Sequence, residues 1–566
     1  MGVRIGAMAM LTLVLALAPG ASAAQAATCP NQSASVVPGA ERQQADCLDD
    51  LTTKGTTTNG HTDQSDWMSL HASKTKNPDK VVPGLQIDGY FPDTSTSNGY
   101  KGWFHDSQFV IRFPNDWNGK LVVTGAPGVR RQYAADFIIG DFVLAKGYAY
   151  ASTDKGNNGV NFFRDGGQPG DSVAEWHTRV TELTRAAKEA ARLRYGRAPE
   201  RTYMTGISNG GYLTRWQIEN RPELYDGAVD WEGTLMLAEG PNLFTYLPAA
   251  LKHFPDYKAG SEAARQAMLA AGFAPGSEFQ WEDHYAEYWD LTQRVYREEF
   301  DPGYDGPIEP STPGTPFCQS STPLAPCDAD YDYASRPQSV KDAMAKVSLT
   351  GRIGKPMLTL HGTLDALLPI ATDSDVYTKM IRDAGLGSLH RYYVIEGGTH
   401  VDSRYDRYPE QSRPILPCYR AAFESLEAMV ERGATPPPSQ NVARTAGGDI
   451  VNNCPLAGGS TTPGAGSPGS AASTSGKAAS KPRLRMRVTP RRVRSGRRTR
   501  FTFRVSAQGR AVRGAKVRFA GATRSTDRRG RAVMVRRPVR RGLRKAVARR
   551  AGMRSATLRI RVLRPR

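Results

Sequence analysis

The sequence predicts an α/β fold with a mostly parallel sheet, followed by a small all-β domain. The first observation is a series of short apolar or β-branched runs of buried-strand type, separated by longer helical patterns. The second is a Gly/Ser/Pro/Ala-rich stretch at 456–482, which cannot bury a core. The third is a change to short alternating runs beyond it. Together they predict an α/β body over 28–455, a linker over 456–482 and a β-sandwich over 483–566.

Six strand-like runs of the body follow one another along the chain. They are Leu121–Val123, Tyr148–Ser152, Thr202–Thr205, Gly227–Trp231, Met357–His361 and Tyr392–Ile395. Between the second and third, Asp171–Tyr195 carries apolar residues at helical spacing. From about 240 to 350 the pattern is interrupted by many aromatic and proline residues and two cysteines, which indicates an inserted lid.

The tail has strand-like runs at Leu484–Val488, Thr499–Val505 and Ala515–Ala520, separated by turn signals such as Arg529-Gly530. This stretch resembles bacterial immunoglobulin-like domains. The resemblance implies a small sandwich of two antiparallel sheets.

Charge is distributed unevenly along the 566 residues. The formal net charge is +20, but residues 481–566 hold 32 Lys and Arg against one acid, Asp527, so the rest of the chain carries −11. The body is therefore an ordinary, mildly acidic globular protein, with 39% hydrophobic residues overall. The basic tail is expected to attract an anionic cell-wall polymer through counterion release, with no nucleic acid as partner. The alternative is an Arg-rich sandwich whose charge only keeps it soluble.

The first residues are typical of a secretory signal peptide. Arg4 supplies a positive charge, Met8–Leu17 is apolar, and Ala21–Ala26 offers small-residue cleavage sites. A transmembrane anchor would need about 18 apolar residues, and Pro19-Gly20 ends this run too soon. We therefore expect residues 1–26 to be removed, leaving a mature protein without a membrane span, released outside the cell or held at its wall.

Six cysteines remain after cleavage, an even number that indicates disulfides in an oxidising compartment. Sequence proximity favours Cys29–Cys47, Cys318–Cys327 and Cys418–Cys454, while other pairings stay open. No Cys/His cluster has zinc spacing and no histidine pair lies in an H-E-x-x-H frame, so metalloprotease chemistry has no support.

The residues from Gly206 to Gly210 form a G-x-S-x-G motif between a strand-like run and a helical run. This setting is that of the nucleophile in an α/β-hydrolase, because flanking glycines allow a sharp turn that exposes the serine hydroxyl. Ser208 is then the nucleophile, and Asn209 offers one backbone N–H to an oxyanion hole. The alternative is a glycine-rich turn with a solvated serine.

A serine nucleophile needs a base, and the base needs an orienting acid. In an α/β-hydrolase the acid and the histidine follow the serine in that order, each just beyond a strand. Asp365 and His400 occupy these two positions. The competing acids are Asp373, Asp375 and Asp402, whereas His361 and His390 are interpreted as structural. Gly125 or Ala126, at the end of the first strand-like run, is the expected second oxyanion donor.

Several segments together resemble the tannase and feruloyl esterase family of secreted α/β-hydrolases. They are Tyr195-Gly196-x-x-Pro199-x-x-x-Tyr203-x-x-Gly206-x-Ser208-x-Gly210-Gly211, Pro222–Gly227, Pro114-x-x-Trp117-x-Gly119, Lys146-Gly147-Tyr148, Ser152–Gly156 and His361-Gly362-x-x-Asp365. The similarity covers about 100–420 and includes a lid. The family has a disulfide between cysteines directly before its serine and directly after its histidine, and here these positions hold Ile207 and Val401. The departure leaves the triad intact and the tannin or feruloyl specificity open.

The resemblance also implies calcium bound in the lid, for which Asp328, Asp330 and Asp332 are the nearest candidates, with plain solvated acids as the alternative. No organic cofactor is implied. The lid aromatics at near-helical spacing could line an acyl or aryl pocket, although packing inside the lid is the expected role of most of them. They are Trp281, Tyr285, Tyr288, Trp289 and Tyr296.

The sequence therefore predicts a secreted serine ester hydrolase acting on aryl or phenolic esters. A second esterase function is open, because Ser208 followed by Asn-Gly-Gly is similar to the 3-hydroxybutyrate oligomer hydrolases, so a hydroxyalkanoate oligomer or polymer is an alternative substrate. Two further functions stay open, a peptidase with the same triad and a non-catalytic wall-binding protein with a vestigial hydrolase body.

Overall fold

The computed structural model describes Cys29 and residues 36–304, 328–444, 449–456, 484–507, 510–539, 542–550 and 555–564. The chain forms two compact units, residues 1–465 and 466–566. The predicted signal peptide, the Cys318–Cys327 pair and nearly all of the predicted linker lie outside the described residues. Within the described ranges, no helix has the length and apolar character needed to cross a membrane.

The first unit is built on one ten-stranded sheet. Its strands are β1 (Arg42–Leu48), β2 (Gly84–Tyr90), β3 (Gln108–Pro114), β4 (Lys120–Gly125), β5 (Ala149–Thr153), β6 (Arg201–Ile207), β7 (Gly227–Trp231), β8 (Met357–Gly362), β9 (His390–Ile395) and β10 (Gln440–Val442). The spatial order is β1-β2-β3-β5-β4-β6-β7-β8-β9-β10. From β5 to β10 all neighbours are parallel, while β1, β2 and β3 extend the sheet in antiparallel fashion onto β5.

The six predicted strands correspond to β4 through β9 and are confirmed, whereas β1, β2, β3 and β10 were not predicted. Strands β2 and β3 do not show as apolar runs because they carry buried polar side chains. Gln86 of β2 accepts a hydrogen bond from Arg112 of β3, and Arg112 also pairs with Asp136 at 2.6 Å. A buried polar network of this kind removes the hydrophobic pattern by which a strand is recognised.

Helices cover both faces of the sheet, as an α/β sandwich requires. They are α1 (Thr53–Asn59), α2 (Gln64–Trp67), α3 (Asp141–Ala145), α4 (Asp171–Tyr195), α5 (Asn209–Asn220), α6 (Leu247–Lys258), α7 (Glu262–Ala270), α8 (Trp281–His284), α9 (Asp290–Phe300), α10 (Gln338–Ala345), α11 (Ser374–Asp383), α12 (Arg404–Arg407) and α13 (Leu416–Arg432). Apolar residues of α4 and α5 pack on one face of the sheet, and those of α3 and α13 pack on the other. Alternate residues of β4 supply both cores, with Val123 on one side and Val122 on the other.

The segment between β7 and β8 contains α6 to α10 and includes the described part of the predicted lid. Its core is aromatic: the rings of Trp281 and Trp289 lie 6.0 and 5.3 Å from that of Phe273. The Trp289 indole donates a 2.7 Å hydrogen bond to the carbonyl of Ala366. The lid is thereby attached to the loop that follows β8.

Two of the three predicted disulfides are present, Cys29–Cys47 and Cys418–Cys454. The first ties the N-terminal segment to β1, and the second joins α13 to the segment after β10.

The second unit is all β. Its strands are β11 (Leu484–Thr489), β12 (Arg492–Arg494), β13 (Thr499–Ala507), β14 (Arg510–Ala511), β15 (Lys516–Phe519), β16 (Ala522–Ser525), β17 (Arg531–Arg536), β18 (Gly542–Arg549) and β19 (Ala556–Leu563). One sheet joins β11, β13, β14 and β17, and a second has the order β12-β19-β18-β15-β16. Phe501 and Phe503 of the first sheet pack with Phe519 and Ile560 of the second in one buried core. Along β13 and β19, inward-facing apolar residues alternate with outward-facing residues that are mostly polar or charged.

Candidate active site

Ser208 stands at a sharp turn between β6 and α5, with φ 59° and ψ −122°. The flanking glycines are required by close packing rather than by their own dihedral angles. A Cβ at Gly206 would lie 2.4 Å from the Gly210 carbonyl, and one at Gly210 would lie 2.6 Å from the Gly125 oxygen. No side chain fits at either position, and the sterically costly turn is therefore held in place by backbone contacts on both sides.

The Ser208 hydroxyl is the first member of a hydrogen-bonded chain of three side chains. His400 Nε2 lies 3.0 Å from Ser208 Oγ, and His400 Nδ1 lies 2.7 Å from Asp365 Oδ2. All three residues are buried, with Ser208 9% exposed at the cavity surface. A hydroxyl, an imidazole and a carboxylate in this order can move a proton from the oxygen to the ring and stabilise the resulting imidazolium.

The Asp365 carboxylate is held by four partners. Its Oδ1 accepts hydrogen bonds of 2.8 Å from the amides of Leu367 and Leu368. Its Oδ2 faces His400 and, at 3.4 Å, His361 Nε2. Burial on its own raises the pKa of this carboxyl, but the two histidines outweigh it and hold the pKa of Asp365 well below its usual range. Asp365 is therefore ionised at neutral pH.

Each competing acid is engaged elsewhere. Asp402 accepts the amides of Ile415 and Leu416 at the start of α13. Asp373 pairs with the buried guanidinium of Arg215 at 2.8 Å. Asp375 accepts a hydrogen bond from the Tyr392 hydroxyl at 3.0 Å.

The two other histidines near the sheet are structural in their contacts. His361 Nδ1 hydrogen-bonds the Ser374 hydroxyl at 2.7 Å, and its Nε2 contacts the Leu368 carbonyl at 2.9 Å. His390, the first residue of β9, contacts the Thr359 hydroxyl, and burial lowers its pKa to about 3.

The loop after β4 follows the two residues expected to supply the second oxyanion donor, Gly125 and Ala126. The Ala126 amide continues the sheet by donating to the Thr153 carbonyl at 3.0 Å, and a Cβ on Gly125 would meet Leu213 of α5 at 2.5 Å. Neither residue lines the cavity beside Ser208, but Gly128 does. Among the described residues the Gly128 amide donates to no protein acceptor. The strand runs two residues further than expected, to Gly125, before the chain turns at Pro127. Gly128, at the cavity wall, is therefore the candidate for the second oxyanion donor.

Asn209 serves this arrangement with its backbone and its side chain. As the first residue of α5, its amide has no acceptor within the helix. Its side-chain amide donates to the Gly128 carbonyl at 3.1 Å and to the Tyr296 hydroxyl at 2.7 Å. Asn209 thus ties the loop after β4 and the lid to the turn that carries Ser208.

A cavity of about 340 Å³ opens beside Ser208. The wall of the cavity is mainly apolar. Most of it comes from the loop after β4, the turn at Ser208, the lid, and the loops after β8 and β9. The lining residues are Leu70, Pro127, Gly128, Val129, Arg130, Ile207, Ser208, Asn209, Thr234, Leu243, Tyr288, Leu291, Thr292, Val295, Tyr296, Leu367, Leu368, His400 and Val401. Of the five lid aromatics, Tyr288 and Tyr296 reach the cavity. A larger cleft of about 730 Å³ is lined by His177 and Trp216. Its lining includes none of the three residues of the hydrogen-bonded triad.

Ile207 and Val401 occupy the two positions next to the serine and the histidine, and both line the cavity. They belong to the same apolar cluster behind the site. Apolar side chains here take the places of the two cysteines of the family that the chain resembles.

Glu232 is a functional candidate that sequence reasoning missed. It directly follows β7, is fully buried, and has a carboxylate oxygen within 4.8 Å of ligand atoms of both Asp365 and His400. One oxygen accepts the Gly362 amide at 2.7 Å, while the other has no hydrogen-bond partner among the described residues. Burial, followed by the charge of Asp365, raises its pKa well above the usual value. The signal in the sequence was an acid directly after a buried strand, β7.

The predicted calcium candidates do not converge. Asp328 is buried against the guanidinium groups of Arg294 and Arg297, at 3.3 and 2.7 Å. Asp330 accepts from the Tyr304 hydroxyl, and Asp332 accepts the Ala334 amide. Within the described ranges, none of the three belongs to a group of metal-ligating side chains gathered within 4.8 Å.

Family comparisons divide this site between two models. Residues 101–236, from just before β3 to just after β7, match the family described as tannase and feruloyl esterase. The match at 101–236 contains Ser208, Asn209 and Gly128. Asp365 and His400 fall within residues 313–476, which match the family described as 3HB-oligomer hydrolase.

The similar curated proteins include two that match this chain over about 140 residues each. The mono(2-hydroxyethyl) terephthalate hydrolase of Piscinibacter sakaiensis is 30% identical over 144 residues, 23% of this chain and 24% of that protein. The D-(-)-3-hydroxybutyrate oligomer hydrolase of Cupriavidus pinatubonensis is 27% identical over 141 residues, 22% of this chain and 20% of that protein. The chain thus matches a quarter or less of the length of these relatives.

Solved structures of the tannase and feruloyl esterase type are similar over a longer stretch. Feruloyl esterase B from Aspergillus oryzae covers 72% of this chain and 91% of its own, with 16% identity and a TM-score of 0.41. Tannin acyl hydrolase from Aspergillus niger covers 72% and 86%, with 14% identity and a TM-score of 0.40.

Proposed function

We propose that this chain is a serine carboxylic ester hydrolase with Ser208 as nucleophile. The observation that carries the proposal is the hydrogen-bonded chain from Ser208 through His400 to Asp365 at the wall of a cavity. Ser208 Oγ attacks the ester carbonyl while His400 Nε2 takes its proton, and Asp365 stabilises the imidazolium. His400 then gives the proton to the leaving alcohol, which leaves an acyl group on Ser208. Water, deprotonated by His400, attacks this acyl group and releases the acid.

Charge on the carbonyl oxygen is stabilised by two backbone amides, those of Asn209 and Gly128. Both border the cavity, and the Asn209 side chain fixes the Gly128 carbonyl at 3.1 Å, so the two donors are held in one rigid arrangement. Donors that are already oriented cost no reorganisation when the negative charge develops, which is why such groups supply a large part of the rate.

Aryl esters are the proposed substrates. The cavity presents the rings of Tyr288 and Tyr296 together with leucine and valine side chains, which suit a flat apolar acyl group. The tannase and feruloyl esterase match over 101–236 and the similarity to a terephthalate ester hydrolase support this class.

Hydroxyalkanoate oligomers are the second candidate. The 3HB-oligomer hydrolase match covers the part of the chain that holds Asp365 and His400, and two such hydrolases are among the similar proteins. Arg130 is the one guanidinium among the residues that line the cavity, and it could attract the free carboxylate at the end of an oligomer.

The two candidates are separated by a substrate panel. The purified protein and its Ser208→Ala variant are assayed on p-nitrophenyl acetate and butyrate, methyl gallate, methyl ferulate and a 3-hydroxybutyrate trimer. We expect hydrolysis by the wild type alone, with higher kcat/KM on the aromatic acyl esters than on the acetate. A preference for the trimer would assign the hydroxyalkanoate class. Equal turnover by Ser208→Ala would contradict the mechanism, and inactivity on every substrate would favour a peptidase or a non-catalytic wall protein.

We further propose that the enzyme works outside the cell and without a cofactor. The two disulfides support an oxidising location. The proton transfers and charge stabilisation described above need only side chains and backbone amides of this chain. Hydrolysis is therefore expected to be unchanged after dialysis against EDTA, and loss of activity that calcium restores would contradict this.

A further inference from the structure

The outer face of the second sheet of the C-terminal unit carries many positively charged side chains. Along β12, β19, β18 and β15, the residues that point away from the buried core include eight cations, Arg492, Arg494, Lys516, Arg518, Lys545, Arg549, Arg559 and Arg561. They form rows across the strands. Lys516 lies directly opposite Arg549, and Lys545 lies directly opposite Arg559.

Such pairing is unfavourable by itself, since like charges directly opposite each other destabilise a sheet. Nothing in the described part of the unit compensates for it. The one acid among residues 481–566, Asp527, lies in the turn before β17, where it pairs with Arg531. Within the described residues, none of the eight cations makes an ion pair with an acid. A ligand that supplies negative charge would relieve this repulsion.

Part of this face is concave. A groove of about 500 Å³ lies over β15 and β18 and is lined by four of the cations, Lys516, Arg518, Lys545 and Arg549. The turn Ala520-Gly521 between β15 and β16 forms one side of it. The groove brings four positive charges close together. An anionic polymer that lies along it would contact all four.

The spacing and the type of the cations indicate the ligand. Neighbouring strands lie about 4.8 Å apart and successive outward residues about 6.7 Å apart, so the charges match a polymer with one anionic group in every 5–7 Å or so. Two of the four cations that line the groove, Arg518 and Arg549, are arginines. The planar fork of arginine binds two oxygens of one phosphate at once, whereas lysine acts as a point charge.

Nucleobases find no partner on this face. The aromatic residues of the unit are Phe501, Phe503 and Phe519, and all three are buried in the core. Binding of single-stranded nucleic acid relies on exposed rings for base stacking. The cationic face can therefore contact a phosphate backbone but cannot stack on bases.

We propose that the groove over β15 and β18 binds the backbone of a base-free phosphodiester polymer, of the kind exposed on a cell surface. This binding is independent of the hydrolase function proposed for the first unit. The polymer lies along the groove, with its phosphates contacting Lys516, Arg518, Lys545 and Arg549 in turn.

The test uses the full-length protein and a matched pair of triple variants. The groove variant is Arg518→Gln, Lys545→Gln and Arg549→Gln. The control is Arg485→Gln, Arg487→Gln and Arg500→Gln, which removes the same charge from exposed positions on the first sheet of the same unit. The probe is a synthetic poly(glycerol phosphate) of 20 repeats, and its Kd is measured against salt concentration. Unchanged melting temperatures establish that both variants are folded.

We expect the groove variant to lose about 30-fold in affinity and about 2 in the slope of log K against log salt, because three phosphate contacts are removed. The control is expected to lose about threefold or less, since it changes only the general charge. Equal losses in the two variants would overturn the proposal, because binding would then depend on net charge alone. Tenfold tighter binding of a 20-nucleotide oligo(dT), or of polygalacturonate, would overturn it in favour of a nucleic acid or a carboxylate polymer.

Discussion

Replacing Asp365 with asparagine tests how the acid acts on His400. The Oδ1 position accepts two backbone amides, from Leu367 and Leu368, so the carbonyl oxygen of the new asparagine takes that place. Its NH2 group then occupies the Oδ2 position, 2.7 Å from His400 Nδ1. It can only donate there, which forces Nδ1 to be the acceptor and leaves the proton on Nε2. His400 in this tautomer cannot take the proton of Ser208.

The expected loss is about 10⁴-fold in kcat, or about 5.4 kcal/mol of transition-state stabilisation, with KM nearly unchanged. The assay is steady-state hydrolysis of p-nitrophenyl butyrate at pH 7, with circular dichroism to establish that the variant is folded. The control is Asp375→Asn, at an exposed competing acid that contacts Tyr392 instead, and it should stay within about twofold of wild type. A loss of less than tenfold in Asp365→Asn would refute the reasoning, because His400 with its proton on Nε2 cannot act as the base for Ser208.

Three further predictions concern the surroundings of Ser208. Burial raises the pKa of Glu232 in the folded state above its value in the unfolded chain, so its contribution to stability falls as pH rises above about 4.5. Glu232→Gln should therefore melt increasingly above wild type between about pH 5 and 8, and a difference independent of pH would contradict this. Gly210→Ala places a Cβ 2.6 Å from the Gly125 oxygen and should cost about 2 kcal/mol in chemical denaturation together with most activity; full activity would show that the turn is not constrained. Arg130→Gln should raise KM about tenfold for esters that carry a free carboxylate and leave neutral esters unchanged; equal effects on both would remove the carboxylate role.

The elements that surround the serine could be predicted because each is a short apolar strand followed by a polar or glycine-rich loop. β6 with Ser208, β8 with Asp365 and β9 with His400 all follow this pattern, and the chain order of the three residues matches that of an α/β-hydrolase. The structure brings these three side chains together. The prediction of these three residues depended on the strand and loop around each motif rather than on secondary-structure propensity.

Other parts of the site could not be predicted, for identifiable physical reasons. The extent of β4 is decided by the Ala126 amide pairing with Thr153 of β5, a long-range contact with no local signal, and this leaves Gly128 rather than Gly125 or Ala126 at the cavity wall. Glu232 was missed because its position matters only once β7 and β8 are neighbours in the sheet. Strands β2 and β3 were missed because their buried polar groups are satisfied by partners distant in sequence, such as Asp136 for Arg112.

The nucleophilic role of Ser208 is tested most directly by covalent labelling. The purified protein is incubated with a p-nitrophenyl alkylphosphonate, and the modified peptide is identified by mass spectrometry. We predict one phosphonyl group per chain, on Ser208, and no labelling of Ser208→Ala. Labelling of His400→Ala should be much slower, since His400 Nε2 lies 3.0 Å from the attacking oxygen. Labelling of another residue, or of Ser208→Ala at the wild-type rate, would contradict it.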